Sequence, residues 1–276
     1  MKNIVELERK AIEVRKRVIR LIYEAKAGHT GGSLSSVDIL VALYLNVMKI
    51  NKEDVDWKGR DRFILSKGHS VEGYHCVLKE AGFITEDILS SYGKFNSLLA
   101  GHPTNKVPGI EVNSGALGHG LSVGVGMAIS ALKDQSDVKV YVLMGDGEQG
   151  EGSIMEAANA ASHYNLDNLI AIIDRNRLQI SGNTEEVMAL DSLGSRWKAY
   201  GWAVKQVDGN NMGELIEIFK TTPFEGGKPN MIIANTTKGK GISFIENQVE
   251  WHHKVPTGEQ YLQALRELDK QLEELN

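Results

Sequence analysis

Hydrophobic positions along this chain follow two periods, and segments of one period alternate with segments of the other. Residues 3–26 place apolar side chains at steps of three and four, which predicts an amphipathic first helix. Residues 62–66, 140–144 and 169–173 are short apolar runs rich in β-forming residues, which is typical of buried strands. The helical period returns in residues 258–274, which predict the last helix.

The remaining segments continue the alternation of helix and strand. Ser35 or Ser36 is a residue type that favours a helix N-cap, and either could cap a helix over residues 37–47. Strands and helices in alternation predict an α/β fold, a parallel sheet with helices on both faces. No linker interrupts the pattern, so we expect residues 1–276 to form a single domain. The further predicted helices are 71–81, 121–132, 153–165, 191–200 and 212–221, and the further predicted strands are 202–207 and 230–236.

The segment from residue 139 to 181 carries the clearest chemical signal. Its pattern is strand, turn, helix, strand, which implies a right-handed crossover between parallel strands. Asp146 follows the first strand and Asn176 follows the second, so both side chains should meet at the carboxyl edge of the sheet, where such folds bind ligands. A carboxylate and an amide oxygen suit Mg²⁺, which prefers oxygen ligands. The alternative is a plain Rossmann-like turn followed by a loop asparagine.

The glycines beside Asp146 narrow the choice of ligand. The segment lacks the G-x-G-x-x-G pattern of dinucleotide sites and the G-x-x-x-x-G-K-[ST] pattern of P-loops. A Gly-Asp-Gly turn followed about thirty residues later by an asparagine is instead the fingerprint of thiamine-diphosphate sites. The sequence therefore predicts a site for Mg²⁺ and a diphosphate.

Composition excludes several other classes of protein. The chain has 276 residues, is 42% hydrophobic and 24% charged, and carries a formal net charge of −5 with scattered basic residues, which argues against a nucleic-acid surface. Cys76 is the one cysteine, so no disulfide framework exists. No stretch is long and apolar enough to cross a bilayer and no export signal is evident, which predicts a cytoplasmic protein without a membrane partner.

Histidines in glycine-rich loops are further candidates for a site. His69 follows the strand at residues 62–66 and precedes a helix, a position from which it could donate a hydrogen bond to a phosphate. His29 could equally be an ordinary loop histidine, and His69 a residue near a helix cap without a ligand. The adjacent His252 and His253 lack the regularly spaced Cys and His partners of a structural zinc site.

Together these motifs resemble the transketolase family, and the chain looks like the N-terminal subunit of a split, two-chain transketolase. The resemblance covers essentially the whole chain. It rests on ordered motifs: GHTGGSLSSVDIL, SKGHS, GHP, NSGALGHG, GDGEQGEGSIMEA, DRNRLQISG and TKGKGISFIEN followed by WHHK.

The resemblance implies thiamine diphosphate and Mg²⁺ as cofactors, with Ca²⁺ or Mn²⁺ as possible substitutes for Mg²⁺. By position, the implied metal ligands are Asp146, Asn176 and the backbone carbonyl of Leu178. The residues implied to surround the cofactor are His69, Gly115, Leu117, Gly147 and Ile180, with Glu151 at a dimer interface that links two cofactor sites. The histidines implied to line the substrate channel are His29, His102 and His252, although WHHK leaves open whether His252 or His253 faces it.

The resemblance also implies a reaction and a partner. The expected activity is transfer of a two-carbon ketol unit between ketose and aldose phosphates, as in the pentose phosphate pathway. Because the pattern ends after the diphosphate-binding domain, we expect a C-terminal subunit with a pyrimidine domain to complete the site, in a heterotetramer, and this chain to self-associate. The alternatives are a related thiamine enzyme, such as deoxyxylulose-phosphate synthase or the alpha chain of a 2-oxo acid dehydrogenase, and a non-catalytic module that binds Mg²⁺ and a diphosphate.

Overall fold

The computed structural model describes residues 3–190 and 192–275, and its centre is one five-stranded sheet. All neighbouring strands are parallel, in the order β1-β2-β3-β5-β4. The strands are β1 (Arg62–Leu65), β2 (Val140–Gly145), β3 (Leu169–Arg175), β4 (Ala203–Asp208) and β5 (Asn230–Asn235). The predicted parallel α/β sheet is therefore confirmed.

Helices connect the strands and cover the sheet. The helices are α1 (Ile4–Ala25), α2 (Thr30–Ser35), α3 (Val37–Ala42), α4 (Val71–Glu80), α5 (Glu86–Leu89), α6 (His119–Lys133), α7 (Gly152–His163), α8 (Thr184–Val187), α9 (Leu193–Ala199), α10 (Met212–Lys220) and α11 (Gly258–Glu274). Short 3-10 turns lie at Gly68–Ser70, Gly147–Gly150 and Val249–His252. The predicted helix start at Asp191 lies outside the described residues. No described helix combines the length and the apolar character that crossing a bilayer requires.

Side chains that alternate along each strand divide the core between the two faces of the sheet. On β1, Phe63 and Leu65 pack in a cluster with residues of α1, α3, α4 and α10. Ile64 points to the opposite face and packs in a second cluster with residues of α6, α7 and α9. This period-two division of a strand between two apolar layers confirms the prediction of helices on both faces.

The prediction of a serine cap before residue 37 is wrong. Thr30–Ser35 form a short helix of their own, α2, and neither serine caps α3. The hydroxyl groups of Ser35 and Ser36 instead donate to the carbonyl oxygen of Gly32, at 3.0 and 3.1 Å. Both serines are buried, so their hydroxyls bond back to the preceding turn rather than to free amides ahead of them. The predicted helix over residues 37–47 continues as a π-helical turn, Leu43–Val47.

The register of β2 and β3 brings the central motifs together. Gly145 pairs with Asp174, so Asp146 and Asn176 follow two neighbouring strands at the same edge of the sheet. The juxtaposition expected from the crossover is thus present. The assignment of residues 1–276 to one domain stays a prediction.

Candidate active site

A cavity of about 350 Å³ opens at the carboxyl edge of the sheet, over β2 and β3. Most of the residues singled out from the sequence line it: His29, His69, Gly115, Leu117, Asp146, Gly147, Asn176, Leu178, Ile180 and His252. His102 and Glu151 do not line it. A second cavity of about 590 Å³ lies beside it, over the ends of β4 and β5, and holds none of these residues.

Three oxygen groups at this edge could hold a cation. Asp146 is only 2% exposed, and its carboxylate accepts from the backbone amides of Gly147 at 2.8 Å and Arg177 at 2.6 Å. Burial and the nearby charge of Asp174 raise its pKa. The side-chain oxygen of Asn176 accepts from the amide of Leu178 at 3.1 Å. A carboxylate, an amide oxygen and a backbone carbonyl form an oxygen-only ligand set, which fits a hard ion such as Mg²⁺.

The Leu178 carbonyl is already in contact with a cationic group. Lys238 is 1% exposed, and its Nζ donates to the oxygen of Leu178 at 3.0 Å and lies 2.9 Å from Nδ1 of His252. Burial, followed by the charge of Lys67, lowers the pKa of Lys238 to about 8. No carboxylate forms an ion pair with Lys238 in the part of the chain that the structure describes. Its ammonium group is therefore available to an anion in the cavity.

Behind the oxygen set lies a buried ion pair that the sequence did not predict. Asp174, at the end of β3, accepts from Lys67 and from the hydroxyls of Ser35 and Thr236. Burial alone would raise the pKa of Asp174, but the charge of Lys67 and these hydrogen bonds outweigh it and lower the pKa. Asp174 also accepts from Nδ2 of Asn176 at 3.3 Å. This contact fixes which end of the Asn176 amide is its acceptor.

Four histidine rings gather on the other side of the cavity. The ring centre of His29 lies 5.2 Å from that of His69, 5.7 Å from that of His252 and 4.6 Å from that of His253. Burial is the main cause that lowers the pKa of His29 to about 4, of His69 to about 2 and of His252 to about 3. All three imidazoles are therefore neutral at pH 7. His102 is exposed at the rim, with its ring centre 6.5 Å from that of His29.

Small residues keep the floor of the cavity open. Gly115 has a φ of +154°, and a Cβ there would lie 2.9 Å from Cδ2 of His102. A Cβ on Gly147 would lie 3.0 Å from the side chain of Gln179. Both crowded positions favour glycine, which lets the backbone approach a ligand. Ile180, on the edge of the cavity, is 61% exposed and leaves an apolar surface open.

Glu148 is a second residue that the sequence did not predict. Its buried carboxylate accepts from Ser66 and from the amides of Gly118 at 2.7 Å and Gly145 at 2.9 Å. It thus joins the end of β1, the start of α6 and the end of β2, and burial raises its pKa. Glu151, by contrast, is exposed at the start of α7, outside the cavity, and its place at a dimer interface stays a prediction.

An open parallel sheet with an oxygen set, a buried lysine and neutral histidines at its carboxyl edge has the features of a cofactor-diphosphate domain. Residues 8–269 match the family model "Transketolase, thiamine diphosphate binding domain". This chain belongs to the transketolase family, which confirms the resemblance that its motifs indicate.

Individual relatives agree with this assignment. The chain is similar to one of the subunits named for "Apulose-4-phosphate transketolase" in Phocaeicola vulgatus, with 54% identity over 99% of this chain and 97% of the relative. It is also similar to "6-deoxy-6-sulfo-D-fructose transketolase subunit SqwG" of a Clostridium species, with 38% identity over 97% of this chain and 98% of the relative.

Solved structures show the same fold. A transketolase variant from Pichia stipitis superposes with a TM-score of 0.89 and 30% identity over 95% of this chain. Transketolase from Leishmania mexicana superposes with a TM-score of 0.85 and 27% identity over all of it. This chain spans 40% of the first of those chains and 47% of the second.

Proposed function

We propose that this chain is the diphosphate- and Mg²⁺-binding subunit of a two-chain transketolase, which transfers a two-carbon ketol unit from a ketose phosphate to an aldose phosphate. The observation that carries the proposal is the convergence of three kinds of group in one cavity. These are the oxygen set of Asp146, Asn176 and Leu178, the cation of Lys238, and the neutral histidines.

Mg²⁺ would be held by the carboxylate of Asp146, the side-chain oxygen of Asn176 and the carbonyl oxygen of Leu178. The hydrogen bond from Lys238 to that carbonyl supports this assignment, because it shows a lone pair that already accepts a cationic partner. Mg²⁺ commonly completes its shell with phosphate and water oxygens. Ca²⁺ or Mn²⁺ could replace it, since both also accept oxygen ligands.

The diphosphate would lie between the metal and the basic side of the cavity. Lys238 offers positive charge, and His69, neutral at pH 7, offers a ring N–H as a hydrogen-bond donor. Leu117 and Ile180 offer apolar surface to the rings of the cofactor. When bound, thiamine diphosphate supplies the carbon nucleophile that ketol transfer requires.

The histidines would handle the protons of the sugar hydroxyls. While Lys238 donates to Nδ1 of His252, the ring proton of His252 is on Nε2 and can be donated to a substrate oxygen. His29 is neutral at pH 7, so it can accept a proton from a hydroxyl and return it. His102, at the rim, would contact the substrate as it enters.

A partner subunit would complete the site. The relatives from Phocaeicola vulgatus and Clostridium are both called subunits, and this chain matches nearly their whole length. The exposed Ile180 beside the cavity would be covered by the pyrimidine side of the partner. We propose a heterotetramer of two such pairs, in which Glu151 lies between the two copies of this chain.

The names of the relatives suggest which substrates to test first. We propose apulose 4-phosphate as the preferred donor, because the relative with 54% identity carries that substrate in its name. 6-Deoxy-6-sulfo-D-fructose, from the relative with 38% identity, is the next candidate. A role in the pentose phosphate pathway would instead require activity with common ketose phosphates.

The experiment is to co-express the chain with the product of the neighbouring gene and to measure ketol transfer with and without thiamine diphosphate and Mg²⁺. We expect activity only with both subunits and both cofactors. Asp146→Ala should abolish it, while Asp134→Ala, an exposed aspartate after α6, should not. Robust turnover by this chain alone, shown by mass spectrometry to be free of partner, would overturn the two-chain proposal.

A further inference from the structure

Three imidazoles at the mouth of the cavity are close enough to share a ligand. The ring nitrogens of His29, His252 and His253 that could bind a metal all lie within 4.8 Å of one another. We propose that His29, His252 and His253 form a binding site for a divalent transition metal ion such as Zn²⁺ or Co²⁺, separate from the oxygen site at Asp146.

The ligand type decides which metals fit. Imidazole nitrogen suits Zn²⁺, Ni²⁺ and Cu²⁺, whereas Mg²⁺ requires oxygen ligands and would not bind here. Three protein ligands leave one position for water, which is the open form of a zinc site. The cavity would therefore hold two cations of different chemistry, one on oxygen and one on nitrogen.

The geometry needs only a small adjustment. Zinc–nitrogen distances of roughly 2.0–2.1 Å place tetrahedral ligand atoms about 3.4 Å apart, so the widest pair must close by about 1.4 Å. His253 is exposed, and its ring can make this movement by side-chain rotation. His252 is held from behind by Lys238, at 2.9 Å from its Nδ1, and His29 lies at the N-cap of α2. Two fixed rings and one adjustable ring can therefore act together as a chelate.

Two lysines oppose the binding of a cation. Lys67 and Lys238 line the same cavity, so we expect weaker affinity than in a closed structural zinc site. Because His29 and His252 are also the proposed substrate ligands, an ion bound here would compete with the sugar. This consequence rests on the proposed function, but the binding of metal does not.

The test is titration of the purified full-length chain with Co²⁺, whose visible absorption is strong in a four-coordinate nitrogen site and weak in an octahedral oxygen site. We expect strong bands in the wild type and in Asp146→Ala. In His253→Ala we expect the bands to disappear and the affinity for Zn²⁺, measured by calorimetry, to fall at least about tenfold. His163→Ala, which removes an exposed histidine at the end of α7, is the matched control and should behave as the wild type.

Two results would overturn the proposal. One is a wild-type protein without strong Co²⁺ bands. The other is a set of bands that survives His253→Ala but disappears in Asp146→Ala, because the ion would then be bound at the oxygen site. Circular dichroism of each variant verifies that a loss of bands does not reflect a loss of fold.

Discussion

Replacing Asp174 by Asn should destabilise the protein by about 3–5 kcal/mol, because the change leaves a buried ammonium group without its counter-charge. Asp174 is 0% exposed and Lys67 is 1% exposed. The carboxylate accepts from Lys67, Ser35 and Thr236, and Asn at this position cannot replace the negative charge. At about 2–4 °C per kcal/mol for a chain of this size, the midpoint of thermal unfolding should fall by roughly 6–20 °C.

The double-mutant cycle separates the loss of the pair from the loss of its members. We expect Lys67→Met with Asp174→Leu to be less destabilising than the sum of the single changes, since the double variant buries no unpaired charge. The free energy of unfolding would be measured by urea titration of all four proteins. Asp137→Asn, which breaks an exposed pair with Lys49, is the control and should change nothing measurable. Additive single effects, or a loss below about 1 kcal/mol in Asp174→Asn, would refute the reasoning.

Three further predictions follow from the site and the core. In the assembled protein, Asp146→Ala should weaken Mg²⁺-dependent binding of thiamine diphosphate more than Asn176→Ala, since it removes a charged ligand; equal titration curves for wild type and Asp146→Ala would contradict this. Glu151→Gln should alter assembly or activation by cofactor, and unchanged sedimentation together with unchanged activation would favour an ordinary surface position. Burial lowers the pKa of His75 to about 4, so the folded protein binds fewer protons than the unfolded chain below pH 6.5, and stability should fall from pH 6.5 to 5. His75→Gln should flatten that slope by up to about 1.4 kcal/mol per pH unit, and an unchanged slope in urea titrations would argue against it.

Local pattern was sufficient where chemistry and secondary structure coincide. The apolar run of β2, the turn at Asp146 and the apolar run of β3 could be identified from the sequence because a buried parallel strand has few polar residues. The meeting of Asp146 with Asn176 then followed from the topology of the crossover alone. The histidines could be placed only through the family resemblance, since loop residues have no period from which their position can be derived.

Tertiary contacts determined what the sequence did not reveal. Lys67 and Asp174 are separated by 107 positions along the chain, and a charged residue at the end of a strand is usually exposed to solvent. Helix α2 contains two consecutive glycines, Gly31 and Gly32, and has no apolar period. It is helical because the fold encloses it: a Cβ on Gly31 would lie 3.1 Å from the side chain of Lys238 and from the carbonyl of Trp251.

The lowered pKa of Lys238 has a consequence for any measurement of cofactor binding. With a pKa of about 8, close to half of the molecules carry a neutral amine at that pH. An anionic diphosphate favours the ammonium form, so its arrival should draw a fraction of a proton from the buffer. The heat recorded in a calorimeter then includes the ionisation enthalpy of the buffer, and it should differ between Tris and HEPES even where the affinity is the same. The difference between the two buffers would count the protons taken up as the site fills.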